Sequence, residues 1–188
     1  ANREIELGIG AGAFWRGVKA YGGPERTNKE AYEAFSEALD IIPAMWNNVG
    51  GHVKYDGEYY QITGAQPGPA PAFQPRIWTG AMGPKMLRLT GAKADGLWVS
   101  IPYVQPEKLS WFNDRLDEGA DSAGRDPDAI RRGYNLMGAI DPDQQQGTIS
   151  DKGLYGNVQF WVDSLTDFYH TYRQDTFNFW PRSNEPYE

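Results

Sequence analysis

A short apolar strand that passes through glycines into a helix opening on proline is the feature that most narrows the folds open to this chain. Arg76-Ile77-Trp78-Thr79 reads as the strand, Gly80-Ala81-Met82-Gly83 as the turn, and Pro84 to Lys93 as the helix. Proline suits the first helical position because its φ is already helical and the N–H it lacks has no partner there. The unit recurs. Gly96-Leu97-Trp98-Val99-Ser100 is predicted as a strand, and Pro106 to about Ala123 as a helix with Leu109, Phe112, Leu116 and Ala120 on one face. Gly133 to Ile140 supplies another strand, and Asp141 to Gly156 reads as a polar loop. Trp161, Leu165, Phe168 and Tyr172 then mark a helix ahead of a last strand, Thr176 to Trp180. At the other end, Glu4 to Ile9 alternates charged and apolar residues, as a half-buried strand does. Five strands alternating with four helices predict an α/β fold, a parallel sheet covered by helices. Five cannot close a TIM barrel, which takes eight, so the spacing leaves open an open doubly wound sheet or part of a barrel.

Between the first two strands the pattern departs from this rhythm. Tyr32, Phe35, Leu39 and Ile42 recur at helical spacing, predicting a helix from Pro24 to about Asn47 with a late kink at Pro43. His52 to Tyr55 and Glu58 to Ile62 flank Asp56-Gly57, a pair suited to the positive φ of a tight hairpin turn. Gln66 to Pro75 holds four prolines and no charge, predicting a stiff connection. Residues 48–75 are therefore expected to be a hairpin and Pro-rich insertion within a single domain.

Several function classes are excluded by what the chain lacks. A net charge of −7 and a lone Arg131-Arg132 basic pair give no cationic stripe for a nucleic acid. The longest apolar run, Leu7 to Trp15, is half a bilayer span and carries three glycines, so no membrane role is expected. There is no Cys and no G-x-S-x-G elbow, which argues against covalent hydrolysis. His52 and His170 lack metal-ligand spacing and read as solvated. Glu30, Glu33, Glu37 and Asp40 read as the wet face of the long helix, with no role assigned.

Two glycine turns remain. Gly8 to Ala13 fits the G-x-G-x-x-G/A spacing, but Gly17 and Gly22-Gly23-Pro24 interrupt the helix that a dinucleotide-binding turn must open. It reads either as a packing feature or as a place where a flat cofactor approaches the backbone. Thr79 to Lys85 leads directly into a helix N-terminus, whose unpaired N–H groups and dipole favour an anion. An ordinary strand–helix turn would look the same.

Taken in order, Leu7 to Gly12, the Glu30 to Trp46 helix, Val53 to Tyr60, Pro75 to Pro84 and Ala94-Asp95-Gly96-Leu97-Trp98 resemble the bacterial luciferase-like family of flavin- or deazaflavin-dependent oxidoreductases. The similarity runs through most of residues 4 to 180. It implies an incomplete TIM (β/α)8 barrel, with the first strand here as barrel strand four and Phe177 to Trp180 in strand eight; strands one to three would lie outside the chain. It further implies FMN or the deazaflavin coenzyme F420, with the phosphate held by Gly80, Ala81, Met82, Gly83, Pro84 and Lys85. Gly10, Gly12, Trp15 and Arg16 would line the cofactor's other side, and Ser100 and Tyr103 would face a small-molecule substrate. The family's ring-supporting residues sit on the early strands, so no catalytic residue is named. The expected activity is hydride transfer or oxygen activation, in the cytoplasm. Alone, the chain is expected to be inactive, or to pair with itself or with a complementary N-terminal half-barrel. A noncatalytic flavin-binding or scaffold remnant, and a small doubly wound nucleotide-binding protein, are the competing readings.

Overall fold

The computed structural model describes residues 5–182, which divide after Trp78 into two compact units. The first contains β1 (Glu6–Ile9), α1 (Trp15–Ala20), α2 (Asn28–Asn47), β2 (Val53–Asp56), β3 (Gln61–Ala65) and most of β4 (Arg76–Gly80). β1 lies beside β4, and the Arg76 N–H donates to the Ile5 carbonyl at 2.9 Å. The long helix starts four residues later than its prolines and spacing predict. Thr27 and Glu30 form a capping box: the Glu30 carboxylate accepts from Thr27 N at 2.7 Å, and Thr27 Oγ1 accepts from Glu30 N at 3.3 Å. These bonds, the one from the Thr27 backbone first, hold the Glu30 carboxyl below the usual carboxylate range. Ala31, Ala34, Phe35 and Leu39 form the buried stripe of α2.

Two expectations in this unit are corrected. The segment after β1 is not simply broken by glycines, because Trp15 to Ala20 make a six-residue helix that ends where Gly22 takes a positive φ. The hairpin turn is not the tight Asp56-Gly57 pair. Asp56 pairs with Gln61, so four residues form the turn, and Gly57 keeps a negative φ. The reason is a side chain from outside the hairpin: Glu37 on α2 accepts from the backbone N–H groups of Glu58 (2.8 Å), Tyr59 (3.1 Å) and Tyr60 (3.0 Å). A carboxylate collecting three amides favours the wider turn over the shorter one.

The second unit contains α3 (Pro84–Lys93), β5 (Gly96–Ser100), α4 (Leu109–Ser122) behind a 3-10 turn at Pro106–Lys108, β6 (Arg131–Ile140), β7 (Thr148–Ser150), β8 (Gly153–Gly156), α5 (Val158–Tyr172) and β9 (Thr176–Pro181). β6 is parallel to β5 on one side and to β9 on the other, and its far end also pairs with β8. The region 141–156, expected as a polar loop, therefore holds the antiparallel pair β7–β8. Strands of three and four residues are too short to show a period-two signal.

Register divides this sheet into two faces. Val99, Tyr134 and Phe177 align across three strands, and Leu136 and Phe179 across two. That face packs on the helices: Val99, Tyr134 and Leu136 are buried with Leu109, Phe112, Leu116, Trp161 and Phe168. The Tyr134 ring meets Phe168 edge-on with centroids 5.4 Å apart, and burial pushes its hydroxyl pKa strongly up. α3 and α4 approach so closely that a Cβ at Gly91 would overlap the Leu116 carbonyl oxygen, and one at Gly119 the Arg88 carbonyl oxygen.

At the N-terminal end of β6 sits a charged network. Arg132, buried, donates through Nη2 to Asp117 Oδ1 (2.6 Å), through Nη1 to the Ile130 carbonyl (2.6 Å) and through Nε to Asn113 Oδ1 (3.1 Å). Arg173, in a left-handed C-cap conformation at φ 56°, closes the network through Asp117 Oδ2 and Asp128 Oδ1, both at 2.6 Å. In barrels this end of the strands carries stability rather than chemistry. Among the described residues no helix is long and apolar enough to cross a membrane.

Candidate functional site

The turn between β4 and α3 is built to leave its backbone open. Thr79, fully buried, ends the apolar part of the strand, and its hydroxyl lies 2.6 Å from that of Thr90. Thr90 donates to the Met86 carbonyl at 2.9 Å, so the proton between the two hydroxyls comes from Thr79. This pair ties the strand end to its own helix. Two residues on, the Ala81 methyl is buried in the core, 3 % exposed, and anchors the turn from beneath. Met82, Gly83, Pro84 and Lys85 then lie exposed.

The N-terminus of α3 is uncapped. Gly83 is the N-cap, Pro84 follows it, and no side chain accepts from the first turn. Leu87 N donates to the Gly83 carbonyl at 2.9 Å, which is the first intrahelical bond. The amides of Lys85 and Met86 therefore have no acceptor in the helix. A Cβ built at Gly80 or Gly83 meets nothing within 4 Å. Open space, amides without helical acceptors and the positive end of a ten-residue helix, with Lys85 in its first turn, are features that favour an anion. FMN ends in a phosphate and F420 carries a phosphodiester within its tail, and these residues fit such a group.

Ser100 and Tyr103 belong to the same unit as this turn. Ser100 closes β5, and its carbonyl accepts from Tyr103 N (2.9 Å) and Val104 N (3.0 Å) in the turn that follows. That turn is pinned from two sides: Tyr134 donates to the Val104 carbonyl at 2.6 Å, and the Gln105 amide to the Ile101 carbonyl at 2.6 Å. Tyr103 is 73 % exposed on this fixed support. Ser100 is half-buried on the sheet face opposite the helices.

That second face carries residues the sequence reading did not single out. Ser100, Asn135 and Asn178 form one cross-strand row. Asn135 Nδ2 donates to Ser100 Oγ at 3.0 Å, and Asn178 Nδ2 donates to Asn135 Oδ1 at 3.2 Å. The neighbouring row holds Trp98 and Gly133, and a Cβ at Gly133 would strike the indole, so the ring lies over the glycine. On the other side, Met137 pairs with Trp180. The available signal was a polar residue among the apolar residues of each strand.

Gly10, Gly12, Trp15 and Arg16 lie in the first unit. Gly12 has φ +93°, and a Cβ there would come within 3.0 Å of the Trp15 ring, so this glycine is needed both for its backbone and for the indole beside it. Gly10 and Arg16 are exposed. The carboxylates of α2 are structural ties rather than an idle wet face. Besides the Glu37 and Glu30 bonds, Tyr59 donates to Glu33 at 2.8 Å, and that bond raises the Tyr59 hydroxyl to about 12. His52 and His170 are exposed, and no group of three His, Asp or Glu among the described residues is placed to hold a metal.

Comparison with known proteins gives this geometry a context. A family model described as luciferase-like monooxygenase matches residues 5–159. A phthiodiolone/phenolphthiodiolone dimycocerosates ketoreductase of Mycobacterium kansasii is 40% identical over 126 residues, which is 66% of this chain and 33% of that protein. An F420-dependent glucose-6-phosphate dehydrogenase of Mycobacterium leprae is 28% identical over 159 residues, 84% of this chain and 45% of the relative. The chain thus spans between a third and a half of the length of these relatives. Among solved structures, an F420-dependent secondary alcohol dehydrogenase in complex with an F420-acetone adduct superposes with a TM-score of 0.79 at 17% identity, over 96% of this chain and 65% of that one. The long-chain alkane monooxygenase LadA does so with 0.65 at 15% identity, over 87% and 54%.

Proposed function

The chain belongs to the luciferase-like monooxygenase family, and from that premise we propose that it is part of an oxidoreductase acting on a small ketone or secondary alcohol with coenzyme F420, or with FMN in the same place. The observation that carries this reading is the uncapped, exposed N-terminus of α3 with Lys85 beside it. It offers what a cofactor phosphate requires. Names on the relatives at 28% and 40% identity favour the deazaflavin and a carbonyl substrate. The cofactor, when bound, supplies two electrons as hydride; with one proton, a ketone then becomes a secondary alcohol.

The chain's own contribution is placement. The amides of Lys85 and Met86 and the Lys85 ammonium bind the phosphate. Thr79 and Thr90 hold the strand end to the helix, so the turn keeps its shape when loaded. Ala81 fills the core beneath and excludes water from that side. Ser100, at the C-terminal end of β5, is where barrels place substrate-binding groups.

Fluorescence titration of the chain with F420, and flavin-quenching titration with FMN, test the reading. Saturable binding of either, weakened about tenfold in Lys85→Ala, is expected, since a charge-assisted hydrogen bond contributes roughly 1.5–3 kcal/mol and tenfold is about 1.4. Tighter binding of FMN with oxygen uptake in its reduced form would favour oxygen activation over hydride transfer. No binding of either cofactor, or unchanged binding in Lys85→Ala, would overturn the assignment.

A further inference from the structure

The row Ser100–Asn135–Asn178 has a direction. Asn135 uses one amide hydrogen on Ser100 Oγ and its carbonyl oxygen on the Asn178 amide. Ser100 Oγ is thereby an acceptor within the row, and its own hydroxyl proton has no acceptor among the described residues. The Ser100 end of the row is an O–H donor, and Asn135 and Asn178 each keep a second amide hydrogen.

Its surroundings narrow what the donor meets. The row contains no charged side chain. On one side the Trp98 ring lies over Gly133; on the other stand Met137 and Trp180, the latter 54% exposed. Arg182, past the end of β9, donates to the Met137 sulfur at 3.2 Å rather than to the row. Neutral donors set between aromatic and thioether surfaces suit a neutral oxygen acceptor on an apolar body. They suit a carboxylate or phosphate poorly, because such a ligand would lose its hydration with no charged partner in return.

We propose that Ser100 donates its hydroxyl proton to the carbonyl oxygen of a neutral ketone, and that Asn135, held in turn by Asn178, is the positioning residue that fixes this polarity. The ligand's identity rests on the oxidoreductase reading above; the polarity of the row rests on its hydrogen bonds alone. A carbonyl held at this donor is polarised toward its oxygen, which prepares its carbon to receive hydride.

The probe is acetophenone labelled with 13C at the carbonyl, titrated into the full chain without cofactor and followed by NMR. The expected result is a saturable downfield shift of the carbonyl carbon, with perturbation of the Asn135 and Asn178 side-chain amides. Ser100→Ala abolishes the downfield shift and weakens binding about tenfold, as loss of one hydrogen bond does. Ser100→Thr restores both. Asn135→Asp is the decisive variant: its carboxylate accepts the Ser100 proton, so the donor is withdrawn and the carbon shift disappears although the side chain keeps its size. Unchanged circular dichroism separates this from misfolding. A wild-type carbonyl that does not shift, or a shift that survives Asn135→Asp, overturns the proposal. Failure of F420 and FMN to bind while the ketone signature persists would remove the cofactor reading and leave the row standing. Cofactor binding without the ketone signature would do the reverse.

Discussion

Asp117→Asn isolates what the charged network under β6 contributes. Asp117 is the carboxylate shared by Arg132 and Arg173, each at 2.6 Å. The Arg132 side chain is only 4% exposed, that of Asp117 27%. Burial above all, and then the neighbouring Arg173 charge, lowers the Arg132 pKa, with Asp117 acting in the opposite sense. Arginine nevertheless stays protonated at any working pH. Neutralising Asp117 therefore leaves a desolvated cation with only neutral acceptors, at Ile130, Pro127 and Asn113. Removing one partner of a buried pair costs about 3–5 kcal/mol, and the partial exposure of Asp117 places this case at about 3. With a urea m-value of about 2 kcal/mol/M, the unfolding midpoint falls by about 1.5 M. Fluorescence of Trp111 and Trp161, both on helices of this unit, follows it. Asp128→Asn is the control. Its side chain is 84% exposed, and its pairing with Arg173 is worth at most about 1 kcal/mol. Arg132→Met in the Asp117→Asn background recovers part of the loss, because the uncompensated charge is gone. A midpoint shift for Asp117→Asn no larger than that for Asp128→Asn would refute the reasoning.

Three further outcomes follow from the geometry. Gly119→Ala pushes a methyl into the Arg88 carbonyl oxygen across the α3–α4 contact, so thermal unfolding should occur earlier by an amount matching about 1–3 kcal/mol of overpacking; an unchanged Tm would show that the helices separate freely. Tyr59 is held protonated by its bond to Glu33, up to about 12. Its contribution to the hairpin tie is thus complete below the ordinary tyrosine pKa of about 10 and is lost as pH rises through about 12. Ultraviolet titration should show a late-titrating tyrosine that moves earlier in Glu33→Gln. Glu37→Ala removes the acceptor of the amides of residues 58–60, and hydrogen exchange at those three amides should accelerate while the buried positions of α2 stay protected.

The order of strands and helices was readable in the chain because each long element repeats its own period. Pro84 to Lys93 and Gly96 to Ser100 form with the bounds their residues predict, since proline sets the first turn and apolar side chains must find a core. The open α3 N-terminus was equally legible, for a glycine–proline start leaves no side chain to cap it. Local chemistry decided these features. Elsewhere the deciding partner is distant. Glu37 reaches 21 residues along the chain to widen the hairpin turn, and β8 exists because the end of β6 offers it an edge. Asn178 and Asn135 stand 43 residues apart and become one hydrogen-bonded row only through parallel pairing. A sequence shows that each such residue is polar in an apolar strand. Which atoms they face, and which hydroxyl proton is left over, depends on the register between strands, and register is fixed by packing of the whole sheet against its helices.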